Sequence, residues 1–311
     1  MNLHSDPEKT AVLLLAHGSP DSVEQVPEFL LRVTGGRPLP QPVIDEVKHR
    51  YGLIGSSPLT ELTLKQGELL ARDLGLPVYV GMRNWKPFIA DALRSMTSDG
   101  IEHAVAICLA PQNSRTSVGL YRSELPRGQE APFSIDFVES WHDHPLLIKA
   151  FAEKLRAGWD RACREAGTQK VPIIFTAHSV PERTIADGDP YESQAKETAS
   201  LVAHEAALAP EDWAFAFQSQ GMSGGAWLGP RVEDTILGLR EKGHRGVFLQ
   251  PIGFLCDHVE VLYDIDIGFK QFAETQGMRL WRAQSLNDSP LLTAALAGIA
   301  RSRRLATTGR S

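Results

Sequence analysis

The sequence predicts an α/β protein made of two doubly wound parallel-sheet domains. Three observations carry that prediction. Short apolar, partly β-branched runs alternate with amphipathic helical patterns along the chain, as parallel sheets covered on both faces require. The length, 311 residues, exceeds that of a typical single domain. The two halves also echo one another. Leu15-Ala16-His17-Gly18-Ser19-Pro20 returns as Thr176-Ala177-His178-Ser179-Val180-Pro181, each at the end of an apolar run, and Cys108-Leu109-Ala110-Pro111 is answered by Phe248-Leu249-Gln250-Pro251.

Residues 11–16 (AVLLLA) are the first expected strand, since consecutive apolar side chains suit a strand buried on both faces. Helical patterns follow at 22–33 and 41–51, separated by a Gly-Gly-Arg-Pro loop. Ser56-Ser57-Pro58 reads as a cap for a long amphipathic helix over 59–74. A short strand at 78–82 leads to a helix opened by Pro87 and running to about residue 97. The run 104–110 (AVAICLA) is the next strand; a polar turn with Ser114, Arg115 and Thr116 precedes another helix and a strand at 133–138. The second half repeats the alternation. Helices are expected at 145–166, 192–208, 232–241, 257–275 and 290–301, and strands at 171–176, 213–218, 246–250 and 278–281. The expected domains are 10–140 together with a C-terminal helix at 289–303, and 141–288. The polar tail 302–311 reads as frayed.

Composition narrows the function. With 42% hydrophobic and 23% charged residues the chain can fill a core, and a net charge of −6 argues against a nucleic-acid partner, whose backbone demands a basic face. Cys108, Cys163 and Cys256 are odd in number and form no CxxC, so neither a disulfide framework nor a cysteine-bound metal centre is supported. The start, MNLHSDPEKT, has neither the basic nor the apolar region of an export signal. No run approaches the roughly 18 apolar residues of a membrane-crossing helix, so a cytoplasmic location is expected.

Two stretches concentrate chemistry. Val171 to Glu182 runs from an apolar strand into a polar turn with His178 at the junction, and strand carboxyl ends in open α/β sheets face the ligand crevice. Gln250 to Asp266 leaves a second strand for a helix bearing Asp257, Glu260 and Asp264, whose spacing of i, i+3, i+7 predicts one acidic face. A neutral imidazole accepts a proton or ligates a metal, and carboxylates suit a hydrated divalent cation. Other patterns are rejected. Gly221-Met-Ser-Gly224-Gly225 lacks the spacing of a dinucleotide loop. Ser179 has no GxSxG elbow around it. Trp141-His142-Asp143-His144 reads as a polar loop before a helix, since no third partner stands at ligand spacing.

Taken together, Phe175-Thr-Ala-His178-Ser-Val-Pro-Glu182, Asp187-Gly-Asp-Pro-Tyr191, Phe217-Gln-Ser-Gln220, Trp227-Leu-Gly-Pro230 and Asp257-His-Val-Glu260-Val-Leu-Tyr-Asp264 resemble the ferrochelatase family over about residues 10–300. The resemblance implies two Rossmann-like domains facing a central porphyrin cleft, and an enzyme, a lyase of haem biosynthesis, that inserts Fe²⁺ into a porphyrin. The Ala-His-Ser-x-Pro and Glu-Val-Leu-Tyr-Asp forms resemble most the branch that metallates coproporphyrin III. Protoporphyrin IX is the alternative substrate, and a chelatase for another metal and tetrapyrrole the third choice. By resemblance His178 and Glu260 are the catalytic and metal-contacting pair, with base and ligand roles open between them, and Asp264 a metal or proton relay. His17, Arg50, Tyr51, Ser57 and Tyr121 match substrate-binding positions. Where the coproporphyrin branch usually has a tyrosine after the first strand, this chain has His17, expected across the porphyrin from His178 and able to ligate product iron. No tightly bound cofactor is implied, iron being a substrate, and no iron–sulfur cluster, because the C-terminal cysteines of cluster-bearing relatives are absent. The implied partners are the porphyrin and Fe²⁺, with transient contact to neighbouring enzymes of haem synthesis.

Overall fold

Every residue of Thr10–Ala16 (β1) is buried, and this strand lies inside the first sheet. The computed structural model describes residues 9–308 apart from 127, 129, 130 and 221–224, so the rejected loop at 221–225 lies outside it except for Gly225. A 3-10 turn at Val23–Gln25 leads into Val26–Val33 (α1), where the sequence suggested one continuous helix. Then come Gln41–Ile54 (α2), Leu59–Leu74 (α3), Val78–Met82 (β2), Ile89–Ser98 (α4), His103–Cys108 (β3), Val118–Ser123 (α5) and Ser134–Val138 (β4). The sheet runs β2-β1-β3-β4, all parallel. Alternate residues of β1 and β3, such as Leu13, Leu15 and Ala106, pack against Ile89, Ala92 and Met96 of α4. Each fully buried leucine of β1 contributes roughly 2 kcal/mol.

The second half contains Pro145–Ala166 (α6), Ile173–His178 (β5), Glu182–Ala186 (α7), Tyr191–Glu205 (α8), Trp213–Gln218 (β6), Val232–Glu241 (α9) and Gly246–Pro251 (β7). Val259–Leu262 (α10), a π-helical segment Asp264–Phe269, Lys270–Thr275 (α11), Arg279–Arg282 (β8) and Pro290–Thr308 (α12) complete it. The second sheet runs β6-β5-β7-β8, again all parallel. The chain divides into two units, Met1–Pro111 with Ser117–Trp141 and Asn287–Ser311, and Gln112–Thr116 with His142–Leu286. Gln112 belongs to the second because its Nε2 donates to Thr198 Oγ1 at 3.1 Å and to the Ile252 carbonyl at 3.2 Å. The last helix runs to Thr308, past the end near residue 301 that the polar tail suggested.

The two sheets share one topology and one register, which makes the internal repeat concrete. In the first, Leu15 pairs with Cys108 and Ala16 with Met82; in the second, Thr176 pairs with Pro251 and Ala177 with Phe217. The amide of Met82 donates to the Pro87 carbonyl at 2.7 Å, just as Phe217 donates to Pro230 at 2.8 Å. Each proline then leads within two residues into a helix, α4 or α9. One sequence correspondence is corrected. Cys108 is the counterpart of Pro251, so Pro111 lies three residues beyond the position of Pro251 and their likeness is fortuitous. The order places a switch point beside β1 in one unit and β5 in the other, where the chain turns from one side of the sheet to the other.

Candidate active site

In the second unit His178 is the last residue of β5, at that switch point. Its Nδ1 donates to the carbonyl of Ser179, which only accepts; this sets the imidazole's orientation and directs Nε2 to Glu260, 3.5 Å from Oε2. Both side chains are about one-third exposed, 32% and 38%. Tyr191 fastens the histidine from below: its buried hydroxyl donates to the His178 carbonyl at 2.9 Å, and burial, with Glu260 and Asp189 adding to it, pushes the phenol's pKa well up. Asp189 accepts from the Tyr191 amide at 3.0 Å and from the Arg115 amide at 2.7 Å, so the Asp-Gly-Asp-Pro-Tyr run is a scaffold for the strand end.

The carboxylates are positioned by β6 and by an unusual helix. Gln218, 1% exposed, accepts from Thr176 Oγ1 at 2.6 Å and donates to the Glu260 carbonyl at 3.4 Å. Ser219 adopts the left-handed backbone region at φ +56°, rare for a residue with a side chain, and its hydroxyl donates to Asp264. Val261, Ile265, Phe269 and Ala273 are buried in the core of this unit. Their spacing of four would drift about 40° per step around a regular α-helix. The wider π turn, in which Gly268 donates to the Tyr263 carbonyl at 2.9 Å, compensates and keeps the stripe straight. Glu260 and Asp264, each one position before a buried residue, therefore stay on one side.

Asp257 departs from the expected acidic face. The helix starts at Val259, so Asp257 precedes it, and its carboxylate meets Arg282 at 3.1 Å and the Ser285 hydroxyl at 2.7 Å. His258 lies before the helix instead, and its ring packs 4.5 Å from that of Phe254, which in turn stands 6.4 Å from His178. Neither Phe254 nor His258 was singled out from sequence; their spacing from Glu260 carries no periodic signal. Among the described residues no group of three or more His, Cys, Asp or Glu side chains is arranged to hold a metal ion.

In the first unit His17 occupies the equivalent strand end with the equivalent contact, Nδ1 to the Gly18 carbonyl at 3.0 Å. The exposed ring meets the edge of Phe29 at 5.8 Å between centroids. Gly18 at φ +83° is required: a Cβ there would stand 2.8 Å from Trp85 Cβ and 2.9 Å from its backbone nitrogen. Tyr51 is buried, its hydroxyl 3.1 Å from that of Ser19. Arg50, beside it on α2, donates to Glu46 at 2.8 Å, and half-buried Ser57 accepts from the Leu59 amide at 3.5 Å, although the N-cap of α3 is Pro58 and not the serine the sequence suggests. Tyr121 is 6% exposed among β1 and β3 side chains, and burial pushes its phenol pKa up. The Trp141–His144 run serves structure: Trp141 Nε1 donates to the Cys108 carbonyl at 2.9 Å, His142 lies 3.0 Å from Glu197, and His144 caps α6. Cys108, Cys163 and Cys256 are buried.

Comparison with known proteins shows the fold and the family. The fold matches the SirB protein of Bacillus subtilis solved with Fe³⁺ at a TM-score of 0.57, with 12% identity, covering 97% of this chain and 98% of that one. The architecture is thus a chelatase fold. The ferrochelatase family model matches residues 9–304. A ferrochelatase of Acidobacterium capsulatum is 56% identical over 95% of this chain and 94% of its own length. A coproporphyrin III ferrochelatase of a Geobacillus species is 36% identical over 94% of this chain and 97% of its own. The chain belongs to the ferrochelatase family, metal chelatases of haem biosynthesis.

Proposed function

We propose that this enzyme inserts Fe²⁺ into coproporphyrin III. The observation that carries the chemistry is the pairing of His178 Nε2 with Glu260 Oε2 at 3.5 Å on a switch-point strand end. Metallation strips water from the cation and removes two pyrrole N–H protons. Two donors at this separation suit one cation with bonds of about 2.1 Å to each, and an imidazole beside a carboxylate takes up a pyrrole proton. Asp264, next along the same side, relays cation or protons. His17, Arg50 and Ser57 offer polar atoms to the carboxylated macrocycle, and Tyr51 and Tyr121 support that surface from beneath. Iron enters as substrate, without a resident cofactor, in the cytoplasm; among the described residues no helix is long and apolar enough to cross a membrane.

The substrate assignment is supported by the Ala-His-Ser-x-Pro and Glu-Val-Leu-Tyr-Asp sequences and by the Geobacillus relative's name. Protoporphyrin IX is the competing substrate, because the 56% identical relative is named simply a ferrochelatase. Incubating the purified protein anaerobically with Fe²⁺ and each porphyrin, and following metalloporphyrin absorption, decides the matter. Faster metallation of coproporphyrin III is expected; equal or faster metallation of protoporphyrin IX overturns the assignment.

A further inference from the structure

Four carboxylates, Asp257, Glu260, Asp264 and Asp266, lie on one short stretch of chain, and like charges so close repel one another. The last residue of β8, Arg282, reaches across to that stretch. Its Nε donates to Asp266 Oδ1 at 2.7 Å and its Nη2 to Asp266 Oδ2 at 2.8 Å, a two-pronged pairing, while Nη2 also lies 3.1 Å from Asp257 Oδ1. The third nitrogen donates to the Ala283 carbonyl at 2.9 Å, and Ser285 Oγ supports Asp257 at 2.7 Å. The side chain is only 13% exposed. One rigid fork therefore fastens the stretch before α10 and again inside the π segment, with Glu260 and Asp264 between the two points.

We propose that Arg282 is the positioning residue that sets the iron-handling carboxylates, an inference that rests on the proposed metallation chemistry. Arg282 fixes the backbone that presents Glu260 and Asp264 and neutralises their neighbours Asp257 and Asp266. A lysine keeps the charge but cannot span two carboxylates as a planar fork does.

The test compares wild type with Arg282→Gln, Arg282→Lys and Asp266→Asn. Arg282→Gln is expected to raise KM for Fe²⁺ at least fivefold with KM for porphyrin changed less than twofold. Arg282→Lys should recover part of the loss, and Asp266→Asn, which keeps the arginine, should show the same split more weakly. A fall in thermal midpoint with both KM values unchanged overturns the proposal, since that is what a purely structural arginine does. Calorimetric titration with Co²⁺ in the absence of porphyrin separates this inference from the one beneath it. If the wild type metallates no porphyrin, the proposed function fails, while weaker Co²⁺ binding by Arg282→Gln than by wild type still supports the positioning role. No Co²⁺ binding by wild type, or equal affinity in the two proteins, overturns it.

Discussion

At His178 a single carbonyl decides what the imidazole can do. With Nδ1 committed to Ser179, the nitrogen left toward Glu260 is Nε2, and both side chains remain accessible enough to meet a substrate. His178→Ala and Glu260→Gln should therefore each lower kcat at least 100-fold, the scale of lost general acid–base catalysis, while porphyrin binding by fluorescence quenching stays within a few-fold of wild type. An active His178→Ala enzyme would remove the assignment. His17 makes the same turn contact through Nδ1, and a ring nitrogen is a good donor to iron. The complex with ferric product should show a nitrogen-ligated absorption or paramagnetic-resonance spectrum that His17→Ala alters; identical spectra would place the ligand elsewhere. Arg50 spends its charge on an exposed i,i+4 pair with Glu46, 38% and 49% exposed, which contributes under about 0.5 kcal/mol to stability. Arg50→Ala should leave the thermal midpoint almost unchanged and weaken porphyrin binding by roughly 1.5–3 kcal/mol, as loss of a charge-assisted hydrogen bond would. Loss of stability without loss of binding would mark Arg50 as structural.

Two elements hold these residues in place by local strain or irregularity. The turn after β1 depends on Gly18, where both the positive φ and the approach of Trp85 exclude a side chain. Gly18→Ala should destabilise the protein by roughly 2 kcal/mol or more, seen in denaturant melts; a neutral substitution would mean that the turn rearranges freely. The π segment matters equally, since it reconciles a buried stripe at intervals of four with helical geometry and so keeps Glu260 and Asp264 together. Its trace in the sequence is the strict spacing of Val261, Ile265, Phe269 and Ala273, too long for an ordinary helix. Read as an α-helix beginning at Asp257, the same residues suggest a third acid on the face, and the late start at Val259 removes it.

Over the whole molecule, the chain closes its first unit with its last helix. Leu292, Ala295, Leu296, Ala297 and Ile299 of α12 are buried, and Arg301 donates to Asp73 at the end of α3. A chain ending at Leu286 should lose roughly 5 kcal/mol from the two leucines and the isoleucine alone, enough to unfold a marginally stable unit. Its circular dichroism melt should lack the transition of the first unit; an unchanged melt would show α12 to be dispensable. The repeated 2-1-3-4 strand order in both units explains why two histidines occupy equivalent strand ends, each at the strand where the order changes direction.

Local pattern suffices for much of this. Apolar runs mark the inner strands β1, β3, β5 and β7 because a strand buried on both faces carries few polar side chains, whereas the edge strands β4 and β8 keep Asp136 and Arg282; the repeat of Ala-His before a proline is visible because equivalent turns demand similar residues. His178 and Glu260 stand out for the same reason: one closes an apolar strand and the other lies in the stretch that leaves one. Contacts between distant stretches are not written in any local period. That Asp257 turns to Arg282, that Gln218 holds the Glu260 carbonyl, that Tyr51 and Tyr121 lie buried, and that Cys108 rather than Pro111 corresponds to the position of Pro251 all follow from which strands become neighbours. Strand pairing joins residues by register across the sheet, and the folded packing, not the spacing along the chain, chooses the partner of each charge.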